Sequence, residues 1–195
     1  MANEIEKKDK MVKTPVFRAS FPHVFKPHSG FAGQEPKYSL VMLFDKKLAD
    51  IKDLKKAATN AAIEKWGPKE KWPKGLRLPF RDGDEKSDMQ GYEGTIFVSA
   101  SSKQKPQVIN KNKELLTEED GAFYAGCFAK ATLLAYAYDT AGNKGVSFAL
   151  QNVLKIGDGE SFSGRKAAED DFSDEDFELK DGSDDASNYD ADLGF

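Results

Sequence analysis

Residues 123–156 read FYAGCFAKATLLAYAYDTAGNKGVSFALQNVLKI, and their pattern decides the fold. From 123 to 138 the side chains alternate. Tyr124, Phe128, Lys130, Thr132, Tyr136 and Tyr138 fall on one side; Ala125, Cys127, Ala129, Ala131 and Leu133, all small or aliphatic, fall on the other. Period-2 alternation marks a strand with one face on a core. Residues 139–145 (DTAGNKG) read as a hairpin loop, and 146–156 as the return strand, with Val146, Phe148 and Leu150 in register.

Working outward, 95–102 alternates again, with Ile96, Val98 and Ala100 toward a core and Phe97, Ser99 and Ser101 opposite. Residues 38–44 form a β-rich apolar run. Residues 12–25 place Phe17, Ala19 and Phe21 on one side and Arg18 and Ser20 on the other. Residues 26–36 (KPHSGFAGQEP) hold two Pro and two Gly and read as a loop. Residues 50–66 are the one helix: Ile51, Leu54, Ala58, Ala61, Ala62 and Lys65 follow helical spacing, and Gly67-Pro68 ends it. Residues 68–91 show no clear period. Five strands, one helix and long loops after strands one and three predict a mainly β fold, a five-stranded antiparallel OB-fold barrel. Strand count alone leaves an SH3-like barrel or a small sandwich open.

The chain has 195 residues with 29 Lys+Arg against 33 Asp+Glu, a net charge of -4 that hides a strong asymmetry. From 169 to 195 there are 12 acidic residues and one Lys, or -11; the rest of the chain is +7. The acidic segment has isolated aromatics and no apolar stripe, so it cannot bury enough surface to offset its ordering entropy. The organisation expected is a flexible N-terminus (1–11), the barrel domain (12–165) and a disordered acidic C-terminal tail (166–195). Like-charge blocks often serve as interaction tails, though a merely solubilising role fits the charge equally. The ending shifts that balance: Asp190, Asp192, Leu193 and Phe195 combine carboxylates with an apolar terminus, which suits docking in a basic-rimmed apolar pocket. No apolar run reaches the roughly 18 residues of a membrane span, so no membrane partner is expected. The polar start argues against a secretory signal, and the single Cys127 against an internal disulfide; both point to a cytoplasm.

Signs of catalysis are scarce. His23 and His28 read as surface histidines, not metal ligands. The run 81–86 (RDGDEK) clusters three carboxylates that could hold Mg²⁺, but an Asp-Gly turn flanked by salt bridges is the stronger reading. No phosphate loop, dinucleotide fingerprint or nucleophile elbow occurs. An enzyme, a metal and a cofactor are therefore not expected. Binding features are richer, because cations lie near aromatics throughout the basic body. The candidate DNA-binding set is Arg18, Lys26, Arg81, Lys86, Tyr92, Phe97, Lys103, Lys105, Tyr124, Lys130, Tyr136, Tyr138 and Lys144. Cations follow phosphates while aromatic faces stack on bases. Phe17, Phe44 and Phe148 read as core; Tyr124, Tyr136, Tyr138 and Phe97 have Lys, Thr and Ser neighbours and are expected to be partly exposed. A protein-binding adaptor barrel is the alternative, and a metal-dependent nuclease a distant third.

The segments FPHVFKPH, EPKYSLVMLF, LPFRDGDEK, GTIFVSASSKQKPQVI, the 123–160 stretch and GRKAAEDDF, in this order, resemble the phage-encoded single-stranded-DNA-binding proteins, once classed as a domain of unknown function. The resemblance covers about residues 12–172. The acidic tail ending in Phe is similar to that of the replisome single-strand-binding proteins of short-tailed phages. It implies an OB fold, sequence-independent binding of single-stranded DNA, and roles in phage replication, recombination and repair. A tail that recruits a polymerase or helicase-primase, and a location in the cytoplasm of the infected bacterial host, follow from the same likeness. Assembly as a homodimer stays open.

Overall fold

The computed structural model describes residues 10–140 and 142–162. The strands are β1 (Met11–Lys13), β2 (Phe17–His28), β3 (Lys37–Asp45), β4 (Phe80–Asp82), β5 (Thr95–Ser102), β6 (Gln107–Ile109), β7 (Phe128–Thr140) and β8 (Asn143–Gly157). Among the described residues one α-helix, α1 (Lys52–Trp66), lies between β3 and β4. The five long strands pair in the ring β2–β3–β5–β8–β7, which closes because β7 pairs both β8 and β2. This is the expected five-stranded OB-type barrel. Its β5–β8 contact is parallel and the other ring contacts are antiparallel. The three short strands extend the ring: β1 on β7, β4 on β5 and β6 on β8.

The alternation read from the sequence places the core correctly. Phe17, Leu40, Met42, Phe44, Val98, Leu133, Phe148 and Leu150 fill the barrel, with Phe17 edge-on to Phe44 at 5.7 Å. The small face of β7 (Ala129, Ala131, Ala135) and Cys127 are buried, and burial pushes the Cys127 thiol pKa up. Helix α1 turns Leu54, Ala57, Ala58, Ala61 and Ala62 inward, and these mostly methyl-sized side chains let it pack closely on the core. It stops at Gly67, whose φ of 79° takes the left-handed turn before Pro68.

The structure differs from the sequence reading at several points, and β2 runs on through His28, three residues into the expected 26–36 loop. The hairpin ladder continues to Asp139↔Lys144 and Thr140↔Asn143, so most of the expected 139–145 loop is strand, with Gly142 (φ 82°) in the turn. Strand β7 starts at Phe128, not 123, because Gly126 adopts φ 109° and breaks the ladder. Phe21 was expected on the core side, but its φ is 44° and the β2–β3 register shifts between Ser20 and His23, which turns the ring out to 50% exposure. Strand β1 takes in Met11, at the end of the segment expected to be flexible. The acidic tail, including Asp190, Asp192, Leu193 and Phe195, lies outside the described residues.

Candidate nucleic-acid interface

Register fixes which side chains share the outer surface of the barrel. His23, Ser39 and Ser101 form one cross-strand row over β2, β3 and β5, and Ser101 continues to Ala149 on β8. The next row holds Ser20, Val41 and Ser99, while Ser147 on β8 pairs with Tyr136 on β7. Ser20 is buried and Val41 packs against the Tyr92–Phe97 cluster. The open floor is therefore made by Ser39, Ser99, Ser101, Ser147 and Ala149, with taller groups at its margins. At the β7 margin stand Tyr136, 41% exposed, and Tyr138. There a hollow of about 200 Å³ is lined by Arg77, Leu78, Arg81, Ser99, Tyr138 and Ser147, among others. Two guanidinium groups and a phenol around an open, serine-lined hollow can take a phosphate and a base side by side.

The hairpin holds this hollow in shape. The Arg77 amide donates to the Lys144 carbonyl at 3.0 Å, and the Val146 amide donates back to the Arg77 carbonyl at 2.9 Å. Gly145 is required for that close approach: a Cβ there would lie 2.5 Å from the Tyr138 hydroxyl and 2.7 Å from the Arg77 carbonyl. Lys144 itself pairs with Asp139 at 3.1 Å.

The other predicted residues divide into surface cations and groups already engaged. Lys86, Lys105 and Lys130 are exposed. Lys26 pairs with Glu118 at 2.6 Å, and Lys103 with Glu35 at 2.7 Å, holding the 29–36 loop beside the end of β5. The Lys103 ammonium keeps the Glu35 carboxyl below its usual range. Exposed pairs of this kind are weak, so phosphates can replace the carboxylates.

Two rings of the candidate DNA-binding set, one of them expected to be partly exposed, are buried. Phe97 is 5% and Tyr92 2% exposed, in a second small cluster with Leu43 outside the barrel wall. Their rings meet edge-on at 5.3 Å, and the Tyr92 hydroxyl shares a 3.2 Å hydrogen bond with Ser20. Burial pushes the Tyr92 pKa up. The segment from 83 to 94 folds over the outer face, and its Tyr92 and Met89 cover Phe97. It is clasped by Asp84, which accepts from the Gly94 amide (2.7 Å) and, with Asp82, from Lys46 (2.6 and 2.5 Å). Two of the three carboxylates of the 81–86 run, Asp82 and Asp84, thus converge on an ammonium. Tyr124 is half-buried, its hydroxyl accepting from the Gly159 amide at 3.1 Å. Arg18 lies over the Phe162 ring (4.3 Å) and donates to the carbonyls of Gly126 and Glu160, so its donors already serve the fold.

The sequence reading missed Arg77 and Phe31. Arg77 sits in the stretch without a period. Phe31 is 69% exposed in the 29–36 loop, and its place between Gly30 and Gly33 in a polar loop was the available signal.

The described geometry has known counterparts. The family model described as "Enterobacter phage Enc34, ssDNA-binding protein" matches residues 10–185. "Putative protein p50" of Acyrthosiphon pisum secondary endosymbiont phage 1 is 37% identical over 161 residues, covering 78% of this chain and 86% of that protein. The solved structure of the single-stranded DNA-binding protein from bacteriophage Enc34, in complex with ssDNA, is similar with a TM-score of 0.68 and 28% identity, covering 80% of this chain and 91% of that one. A single-stranded DNA binding protein encoded by bacteriophage T7 shares the fold, with a TM-score of 0.56 at 14% identity, over 89% of this chain and 98% of that one.

Proposed function

The chain belongs to the Enc34 family of phage single-stranded-DNA-binding proteins, and from that premise we propose that it binds and protects single-stranded DNA without regard to sequence and without catalysis. The observation that carries this reading is the serine-floored outer face ending in the Arg77–Arg81–Tyr138 hollow. Floor side chains this small let a strand lie close to the backbone. Tyr136 and Tyr138 offer stacking faces, and Arg77, Arg81, Lys86, Lys103, Lys105, Lys130 and Lys144 take the phosphates. Stacking is sequence-tolerant because every base has a π-face. The work of such a protein is to coat strands exposed during phage replication, recombination and repair in the host cytoplasm.

The domain that does this spans 12–165, and the -11 tail competes with DNA for the positive groove. Tethering keeps the tail's effective concentration high, while DNA prevails by stacking, which the tail cannot reproduce along the groove. DNA binding then releases Phe195 and its neighbours to recruit a replication protein. The test is fluorescence polarisation with an oligothymidylate against duplex of equal length. A strong preference for the single strand, weakening steeply between about 50 and 200 mM salt, is expected. No binding to either would sink the reading in favour of an adaptor barrel, and a salt-insensitive affinity would remove the phosphate contacts.

A further inference from the structure

His23 and His28 are five apart on β2, and an odd separation in a regular strand puts side chains on opposite faces. Here their rings stack, with centroids 4.3 Å apart and planes 13° from parallel. Register shifts between Ser20 and His23, and again between His23 and His28, bring them to one side. Phe21, held at φ 44°, lies in the first irregularity. Left-handed backbone at a bulky residue is costly and clusters at functional sites.

The stack is placed on the proposed binding face. His23 heads the row through Ser39 and Ser101 to Ala149, so the two rings rise at the β2 margin as Tyr136 and Tyr138 do at the β7 margin. Followed round the barrel through β3, β5 and β8, four inter-strand steps lead from one platform to the other, a path of roughly 19 Å along the curved surface at ~4.8 Å per step. That span suits the ~4–16 nucleotides an OB barrel holds. His28 is exposed, leaving one face of the column open. Around the column stand Lys37 opposite His28, Lys26 paired with Glu118, and Lys103 paired with Glu35. These cations can meet the phosphates of a nucleotide stacked there. Burial, and then the neighbouring His28, lowers the His23 pKa, which favours the uncharged form of the inner ring and so stacking over repulsion.

We propose that the His23–His28 stack is a second base platform, on which a nucleobase stacks against the open face of His28 and extends the two-ring column. This rests on the single-strand-binding reading above. The test is polarisation with fluorescein-labelled oligothymidylate on the full chain, wild type, His28→Ala and His28→Phe, across a salt series, with thermal melts to verify folding. His28→Ala is expected to weaken binding about 5- to 150-fold, while His28→Phe keeps wild-type affinity and all three keep the same salt slope. His28→Ala binding as tightly as wild type overturns the platform alone. His28→Phe as weak as His28→Ala, with a shallower salt slope, makes the contact one of charge and also overturns it. Folded wild type that ignores the oligonucleotide refutes the single-strand reading itself, and the platform with it.

Discussion

Truncating Phe97 and truncating Tyr136 should damage different properties of the protein, although both rings are on the outer faces of barrel strands. Phe97 is 5% exposed and packs on Leu43 and Tyr92, with the Lys86 ammonium 5.4 Å from its ring centre. Phe97→Ala forfeits about 1.5–3 kcal/mol of transfer free energy and about 0.5–1.5 kcal/mol for the edge-on pair with Tyr92. A cavity under the 83–94 segment adds to that, giving about 3–5 kcal/mol in all. At ~2–4 °C per kcal/mol for a chain of this size, the melting midpoint should fall by about 6–20 °C. Tyr136, 41% exposed, leaves little behind when truncated, so Tyr136→Ala should melt near wild type. Its cost should appear in oligothymidylate affinity, at about 1–3 kcal/mol. Differential scanning calorimetry paired with polarisation reads both. A Phe97→Ala protein that melts with wild type yet loses DNA would return that ring to the binding surface and refute the assignment.

Deleting 169–195 should tighten DNA binding at about 50 mM salt and do so less at high salt, because screening already weakens the tail's competition; equal affinities at low salt would remove that mechanism. Phe195→Ala should impair partner capture with DNA affinity unchanged. Gly145→Ala pushes a methyl group into the Tyr138 hydroxyl and the Arg77 carbonyl, so it should weaken single-strand binding, and unchanged affinity would show the hollow to be dispensable. Hydrogen bonds from Lys46 and from the Asp84 and Gly94 amides hold the Asp82 and Asp84 pKa values below their usual range. Their contribution is therefore complete above the ordinary aspartate pKa and is lost as pH falls through the lowered folded-state values. Protection of the Gly94 amide, taken relative to its intrinsic exchange rate at each pH, should fall in acid, and Asp84→Asn should flatten that response.

The barrel was legible because its strands have one face in the core. The alternation of 95–102 and 128–138 follows from that alone, and Gly67-Pro68 marks the helix end by backbone chemistry. Strands β1, β4 and β6 were not legible, since three residues are too few to show a period. Phe97 was misread for a different reason, and Tyr92 because it belongs to the segment that covers Phe97. Alternation distinguishes inward from outward but cannot tell that a polar segment, 83–94, folds back over the outward side. Arg18 looked like a free cation for the same reason: what occupies it, Phe162 and the Glu160 carbonyl, lies over 140 positions away. His23 and His28 read as surface histidines, but their stacking was not legible because it depends on two register shifts that no regular strand pattern contains.

Two of the ring's contacts are short and non-local. The β2–β7 contact pairs only Phe17 with Ala129 and Arg18 with Phe128, and the parallel β5–β8 seam only Ala100 with Phe148 and Ser101 with Ala149, whereas the β7–β8 hairpin is paired from end to end apart from two register shifts. A hairpin forms from local contacts, but this seam must close a long stretch of chain before any pairing rewards it. The order of assembly follows: hairpins first, seam last, and the reverse on opening. Native-state hydrogen exchange should find Ala100 and Ser101 released in partial openings that leave the middle of the hairpin protected, and equal protection would make seam and hairpin one cooperative unit. A strand lying over Ser99, Ser101, Ser147 and Ala149 would straddle this seam. By binding only the closed barrel it would act as a latch, so the DNA that the protein shelters would in turn slow the protein's own unfolding.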